Sequence, residues 1–246
     1  MKAKPARRGG PGRGFYLALA AVAVAGIAAL GYSMRPKSDA APRTTYDPNA
    51  AKAEGYVLGS PTAPVEIVEF ADFECPACAQ FATVTEPDVR KRIVDAGLAR
   101  YRFYDFPLTQ HRNSMAASLA AACAADQGKF WQMHDRIFQG QDEWNTQSTR
   151  RPKAIFQRYA REVGLDQGAF DKCLDDERHR EKVFAHQNEG LRAQVASTPT
   201  FVINGRAVVG APAYDEFKRI VDSAATAAVS PATQPAAPAP ARPPAR

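Results

Sequence analysis

The sequence of 246 residues lacks the motifs that mark several common enzyme sites. It contains no G-x-S-x-G, no glycine-rich phosphate loop and no H-E-x-x-H. Its four histidines include no pair spaced three to five residues apart, which argues against a zinc site built from neighbouring histidines. These absences exclude the serine hydrolases, nucleotide hydrolases and zinc proteases that those motifs define.

Acidic residues are absent from residues 1–14, which hold five cations. The whole chain has a net charge of +6, and such a basic balance first suggests a nucleic-acid binder. Residues 44–222, however, carry a net charge of −3, so the basicity belongs to the ends of the chain. We therefore expect no nucleic-acid partner.

An uncharged and mostly apolar run, residues 15–31, directly follows the cations. This pattern is typical of a signal anchor or a cleavable signal peptide. Extended to residue 34, the run is long enough to span a bilayer, and the preceding cations keep the N-terminus in the cytoplasm. We predict a basic cytoplasmic segment at 1–14 and a signal anchor or transmembrane helix at 15–34. Cleavage at Ala29-Leu30-Gly31 is the alternative.

Two segments that flank the body lack apolar periodicity. Residues 35–55 are rich in Pro, Asp, Ala and Lys and predict a tether, and residues 226–246 are mostly Ala and Pro and predict a disordered tail. The folded domain is therefore expected over residues 56–225, on the far side of the membrane from the N-terminus or secreted there.

The body alternates between strand and helix patterns. A β-branched run at 65–70 predicts a strand, Pro76 starts a helix that reaches residue 97 with a kink at Pro87, and 100–106 predicts a second strand. Residues 112–195 are helical in pattern. Two further β runs flank Asn204-Gly205, and a last helix follows at 213–225. This order predicts an α/β, thioredoxin-like fold with a mixed central sheet and an inserted helical subdomain.

Two of the four cysteines, Cys75 and Cys78, form a C-x-x-C between the first strand and its helix. A helix N-terminus stabilises a thiolate at the first cysteine, and the thiolate is the attacking species in thiol–disulfide exchange. The second cysteine is close enough to resolve a mixed disulfide. A zinc half-site would need a second close pair, and a purely structural bridge over so small a ring constrains little of the unfolded chain.

Two other features favour a redox site. Thr198-Pro199 precedes a strand and is a candidate cis peptide, an ordinary trans-Pro being the alternative. Glu69 shares a strand face with apolar residues, where a carboxyl group would have a raised pKa and could relay a proton for Cys78. The alternative is a solvated Glu69.

The stretches VEIVEFADFECPAC (65–78) and TPTFVING (198–205), with helical segments around Cys123 and Cys173, resemble the DsbA-like thiol:disulfide oxidoreductases of bacteria, membrane-anchored or secreted. The resemblance covers about 56–222. It implies that Cys75 is the exposed nucleophile, Cys78 the resolving thiol and Glu69 the buried acid. It also implies that the loop at Thr198-Pro199 holds substrate backbone.

The dipeptide Pro76-Ala77 departs from the C-P-H-C of the strongly oxidising members. One stabiliser of the Cys75 thiolate is therefore missing, and the neighbouring Glu74 is expected to oppose the thiolate as well. The sequence alone therefore leaves the redox potential open.

The resemblance also suggests that Cys123 and Cys173 pair as a structural disulfide. Closing this 51-residue span would stabilise the fold by about 3–4 kcal/mol. Two buried free thiols are the alternative. Elsewhere, Glu86, Asp88 and Asp95 are expected to form a solvated helix face, and Trp144 to lie in a polar loop.

These features predict an envelope thiol:disulfide oxidoreductase that acts on exported proteins, with disulfide formation favoured. No cofactor or metal is expected beyond the redox-active Cys75–Cys78 disulfide. The expected partner is a membrane redox protein, either a quinone-linked oxidase or a membrane reductase. A reductase or isomerase of the same fold is one alternative, and a non-catalytic tethered chaperone or metal-binding module is another.

Overall fold

The computed structural model describes Leu17, residues 21–26, Asp47 and residues 52–229. The chain divides into two compact units, Met1–Ala41 and Pro42–Arg246. In the first unit Leu17 and residues 21–26 are helical. Within the described ranges, no helix combines the length and the hydropathy needed to cross a bilayer. The predicted basic segment, together with most of the predicted anchor, tether and tail, lies outside the described residues.

Five strands form one mixed sheet in the order β1-β3-β2-β4-β5. Strand β2 pairs parallel with β3, and the other three neighbouring pairs are antiparallel. The first strand in the chain, β1, was not predicted from the sequence, because three residues are too few to show an alternating pattern. The strands are β1 Tyr56–Leu58, β2 Val65–Ala71, β3 Ala99–Asp105, β4 Thr200–Ile203 and β5 Arg206–Val209.

Strands β4 and β5 form the predicted hairpin. Asn204 and Gly205 have φ of 44° and 85°, the left-handed conformation that a two-residue hairpin turn requires at both positions. The Asn204 side chain also accepts a hydrogen bond from the Glu66 backbone N–H at 2.9 Å. The turn is therefore tied to β2, the strand that leads to the C-x-x-C.

Helix α1 (residues 76–94) follows β2, and six helices lie between β3 and β4. In α1 the segments Pro76–Gln80 and Glu86–Val89 are α-helical, whereas Phe81–Thr85 and Arg90–Val94 are π-helical. These wider turns flank Pro87, which has no N–H for an α-helical bond. The other helices are α2 Ser114–Ala125, α3 Phe130–Gln139, α4 Gln141–Trp144, α5 Lys153–Glu162, α6 Gln167–Asp175, α7 Arg180–Arg192 and α8 Tyr214–Val229.

Apolar side chains cover both faces of the sheet and fill the helical subdomain. Helices α1 and α8 contribute Phe81 and Phe217 to a cluster on the face that carries Ile67 of β2. Helix α7 approaches at Gly190, where a Cβ would lie only 2.4 Å from the Phe106 ring, so a larger residue does not fit there. The subdomain shares a buried core with the sheet, and that core includes Phe103, Trp144, Phe156, Tyr159 and Phe170.

Two of the expected exposures were wrong. Trp144 is fully buried at the end of α4, and its indole N–H donates to the Ile137 carbonyl at 2.9 Å. Glu86 is only 1% exposed, and Arg90, one turn later, compensates its buried carboxyl group by pairing with it at 2.5 Å. Asp88, on the other side of the helix, is half exposed as expected.

Candidate active site

Cys75 lies at the N-cap of α1, with Pro76 in the first turn. The backbone turns at this point because the Cys75 N–H donates to the Asp72 carbonyl at 3.0 Å. Cys75 is only 8% exposed, so the expected exposure of this cysteine was wrong: the loop before β4 lies against it. The Cys75 sulfur is 3.4 Å from the Thr198 carbonyl oxygen of that loop.

The pKa of Cys75 is lowered to about 5. The largest cause is a hydrogen bond from Cys78, which outweighs the opposing effect of burial, and Thr198 and the N–H groups of Cys78 and Ala77 contribute further. Helix-terminal N–H groups stabilise a thiolate in this way without a histidine in the C-x-x-C. Cys75 is therefore mostly thiolate at neutral pH.

We expect the alkylation rate of Cys75 by iodoacetamide to rise with pH around a midpoint near 5, whereas an ordinary cysteine has a pKa of about 8.5. The thiolate stabilises the reduced folded state at higher pH, and that contribution is lost as pH falls through about 5. Replacement Cys78→Ala removes the main hydrogen bond and should move the midpoint upward. An unshifted wild-type midpoint near 8.5 would contradict this picture.

Cys78 and Glu69 lie in the interior, one on α1 and one on β2, and both are at most 1% exposed. Burial is the largest cause of the raised pKa of the Cys78 thiol. The hydrogen bond with Cys75, the charge of Cys75 and the charge of Glu69 raise it further. Burial also raises the pKa of the Glu69 carboxyl, followed by the charge of Glu86. The Tyr101 hydroxyl donates to Glu69 Oε2 at 2.5 Å. Glu69 can therefore hold a proton near a thiol that must gain or lose one.

The loop that faces Cys75 contains a cis peptide between Thr198 and Pro199. Its geometry is fixed on both sides, because Thr200 Oγ1 donates to the Ser197 carbonyl at 2.7 Å and the Gly210 N–H donates to the Pro199 carbonyl at 2.9 Å. The β4–β5 hairpin thus holds this loop against Cys75.

A buried carboxylate that the sequence did not single out, Asp72, organises the approach to the C-x-x-C. Its oxygens accept hydrogen bonds from the Leu108 N–H at 2.8 Å, from His111 Nδ1 at 2.7 Å and from the Ser114 hydroxyl. The hydrogen bond with Asp72 is the main reason that the pKa of His111 is raised, and the negative charge of Cys75 adds to it. His111 therefore binds a proton more readily than an ordinary histidine, and it lies outside the C-x-x-C.

The helical subdomain also supports the active-site turn directly. The Gln141 side-chain amide of α4 donates to the Phe73 carbonyl at 2.7 Å and to the Cys75 carbonyl at 3.1 Å. Glu74, expected to oppose the thiolate, instead accepts hydrogen bonds from the backbone N–H groups of Asn113 and Thr146. The Glu74 carboxyl group is therefore bonded to the start of the helical subdomain and to the loop after α4.

Cys123 and Cys173 are joined by a disulfide between α2 and α6. Beside it, ligand atoms of Asp126, Cys173 and His179 lie within 4.8 Å of one another. The Cys173 sulfur is occupied by the disulfide, and Asp126 pairs with His179 at 2.9 Å and with Arg178 at 3.0 Å. These bonds account for the cluster without a metal ion.

Residues 51–223 match the family model described as thioredoxin. The Na(+)/H(+) antiporter NhaA 3 of Salinispora tropica is 40% identical over 152 residues, which cover 61% of this chain and 22% of the antiporter. The chain thus spans less than a quarter of the length of the first antiporters it matches. The probable disulfide bond formation protein D of Bacillus anthracis is 29% identical over 170 residues, which cover 67% of this chain and 76% of that protein.

Among solved structures, BdbD from Bacillus subtilis in its oxidised form superimposes with a TM-score of 0.62. It is 24% identical, and the match covers 72% of this chain and 98% of BdbD. At this level of identity the likeness shows a shared fold.

Proposed function

Because the chain belongs to the thioredoxin family, and within it resembles the DsbA-like proteins, we propose that it is a thiol:disulfide oxidoreductase that forms disulfide bonds in exported proteins. The thioredoxin-like fold expected from the sequence is confirmed by the family match and by the likeness to BdbD. The activity rests on one observation, the unequal pair of thiols. Cys75 has a pKa of about 5 at a helix N-terminus, and Cys78 is fully buried with a raised pKa.

The reaction begins with the Cys75–Cys78 disulfide. A substrate thiolate attacks the Cys75 sulfur, the Cys75–Cys78 bond breaks, and Cys78 leaves with the electron pair and takes a proton from Glu69. A second substrate thiolate then attacks the mixed disulfide, and Cys75 leaves as the stabilised thiolate. The substrate loses two electrons and gains a disulfide, and the protein becomes a dithiol. A low pKa at Cys75 favours this direction because it makes Cys75 the better leaving group.

The substrate backbone is proposed to lie along the Thr198-Pro199 loop. The carbonyl oxygen of Thr198 already contacts the Cys75 sulfur, so a peptide that reaches the sulfur must pass this loop. The cis peptide and the hairpin bonds hold the loop in place before substrate arrives.

The cellular setting is proposed from the ends of the chain. Five cations before the apolar run at 15–31 favour an N-terminus that stays in the cytoplasm and a body on the opposite side, anchored or released by cleavage. The Cys123–Cys173 disulfide suits an oxidising compartment. Regeneration of the Cys75–Cys78 disulfide then requires a membrane redox partner, for which we favour a quinone-linked oxidase.

The equilibrium of the Cys75–Cys78 pair with reduced and oxidised glutathione tests the direction. Thioredoxin-fold proteins with a nucleophile pKa of about 7 have potentials of about −270 mV, and those with a pKa of about 3.5 have about −120 mV. A pKa of about 5 therefore predicts a potential of about −180 mV. The fraction oxidised is read from the mass shift after alkylation. A potential below about −250 mV would overturn disulfide formation in favour of a reductase.

A further inference from the structure

Two buried polar atoms face each other on α1 and α3 without a hydrogen-bond partner. Glu86 Oε2 and His134 Nε2 lie 3.9 Å apart, and neither has a partner among the described residues. Both side chains are at most 1% exposed. Burying a polar group without a hydrogen-bond partner is costly, so a facing pair of such groups needs an explanation.

On the inner side, this pair is coupled to the active site. The charge of Glu86 raises the pKa of Glu69, after the larger effect of burial, and the charge of Glu69 in turn contributes to the raised pKa of Cys78. The Tyr101 hydroxyl is bonded to Glu69 and feels the charges of both carboxyl groups. Geometry also links the two acids, because the Tyr101 ring packs edge-on against Trp131 at 6.2 Å and Arg90, the partner of Glu86, lies 4.5 Å over the same indole ring.

On the outer side, the pair reaches the surface. His134 Nδ1 lies 2.8 Å from Asp135 Oδ1 and 3.1 Å from an Arg90 guanidinium nitrogen. The Asp135 side chain is 43% exposed, and with Arg90 it lines a surface cavity of about 580 Å³. One imidazole therefore separates buried Glu86 from a carboxylate in contact with solvent.

The two neighbours of Nδ1 allow two tautomers of His134. When Arg90 donates to Nδ1, the ring proton is on Nε2 and points toward Glu86. When Nδ1–H donates to Asp135, Nε2 carries a lone pair that can accept a proton from Glu86. The two arrangements differ only in which nitrogen carries the ring proton, so gain of a proton at one nitrogen and loss at the other moves a proton across the ring.

We propose that Glu86, His134 and Asp135 form a proton route between the Glu69 carboxyl group and solvent. The proposal rests on the proposed function, since it serves the proton exchange at Cys78. During oxidation of the dithiol form, Cys75 forms a mixed disulfide with an oxidant disulfide, and one oxidant thiolate leaves. Glu69 gives its proton to solvent along the route and takes the Cys78 proton. The Cys78 thiolate then attacks Cys75, and the second oxidant thiolate leaves.

A structural role is the rival explanation, because His134 also packs among aromatic rings. Its ring centre lies 5.0 Å from that of Phe103 and 4.9 Å from that of Phe138. Loss of such packing would lower stability. Loss of a proton route would slow exchange in both directions equally and leave the redox potential unchanged.

The test measures oxidation of the reduced full-length protein by glutathione disulfide, following closure of the Cys75–Cys78 bond. A positioned acid or base contributes about 10²–10⁴-fold, so a group one step removed is expected to contribute about 10-fold. His134→Gln should slow closure by that factor, increase the solvent deuterium isotope effect and leave the potential unchanged. The matched control is His186→Gln, since His186 is equally buried, is paired with Asp105 at 2.8 Å and also has an unpartnered Nε2 among the described residues.

Asp135→Asn provides a second variant at a partly exposed position, in case His134→Gln does not fold. It should slow closure by about threefold with the same rise in isotope effect. If wild type closes the disulfide while His134→Gln and Asp135→Asn both match the His186→Gln control, the proton route is overturned. If His134→Gln shifts the potential and lowers stability without an isotope effect, the structural role replaces it. Failure of the wild-type protein itself to exchange would instead refute the proposed function.

Discussion

Replacing Cys75 with serine is expected to reduce oxidation of a dithiol test peptide by at least about 10³-fold, to the uncatalysed background. In the proposed reaction, the sulfur of Cys75 is both the atom that substrate attacks and the atom that leaves as a stabilised thiolate. A serine hydroxyl forms no disulfide and is not ionised at neutral pH. Peptide oxidation is followed by mass spectrometry, with glutathione disulfide as the terminal oxidant.

The matched variant is Cys78→Ser, which keeps the nucleophile and removes only the resolving thiol. Its reduced Cys75 should still attack a disulfide-containing peptide, and the mixed disulfide should accumulate in stoichiometric amount because nothing resolves it. The two variants therefore separate attack from resolution. Peptide oxidation at the wild-type rate by Cys75→Ser would refute the enzyme and favour a non-catalytic chaperone or binding module.

Removing the Cys123–Cys173 disulfide is expected to lower the free energy of unfolding by about 4 kcal/mol. The bridge joins residues 50 positions apart, and its loss restores the entropy of that loop to the unfolded chain. The measurement is urea unfolding of the double variant Cys123→Ala/Cys173→Ala, whose free energy of unfolding is compared with that of the chain that keeps the disulfide. A Cys75→Ala/Cys78→Ala background removes the redox state of the active site from the comparison.

The single variant Cys123→Ala distinguishes the cross-link from the packing of the sulfur atoms. It breaks the same bond as the double variant but deletes only one buried side-chain sulfur, so the cross-link predicts nearly equal losses in the two. A loss below about 1 kcal/mol in both variants would show that the unfolded chain gains little from the bridge. When the same variants are made in the chain that keeps Cys75 and Cys78, exchange through Cys75 should persist wherever they remain folded, because neither Cys123 nor Cys173 takes part in it.

Much of the local structure could be predicted from the sequence because it depends on neighbours in the chain. The alternation of side chains along the chain predicted strands β2 and β3 and placed Glu69 on a buried face of β2. Asn204-Gly205 set the hairpin, since both positions must adopt left-handed backbone. Pro76 after Cys75 set the start of the helix and thus the N–H groups that stabilise the thiolate.

Contacts between distant segments could not be predicted in this way. Gln141 reaches the Cys75 carbonyl across 66 positions, and His111 reaches Asp72 across 39. Glu86 was expected on the surface because its local pattern is that of a polar helix face. It is buried because helix α3, which carries His134, packs against α1 at that point.

The sequence by itself determined the C-x-x-C pair, its position at a helix start and the charge pattern that separates a basic N-terminus from an acidic body. Each of these follows from residue type and short spacing, which set backbone conformation and local electrostatics. Only the tertiary structure decided the acidity of Cys75, the groups that surround the Glu69 carboxyl group and the proposed path from Glu69 to solvent. These depend on burial and on partners brought together from β2, α1 and α3, and no short spacing in the chain encodes them.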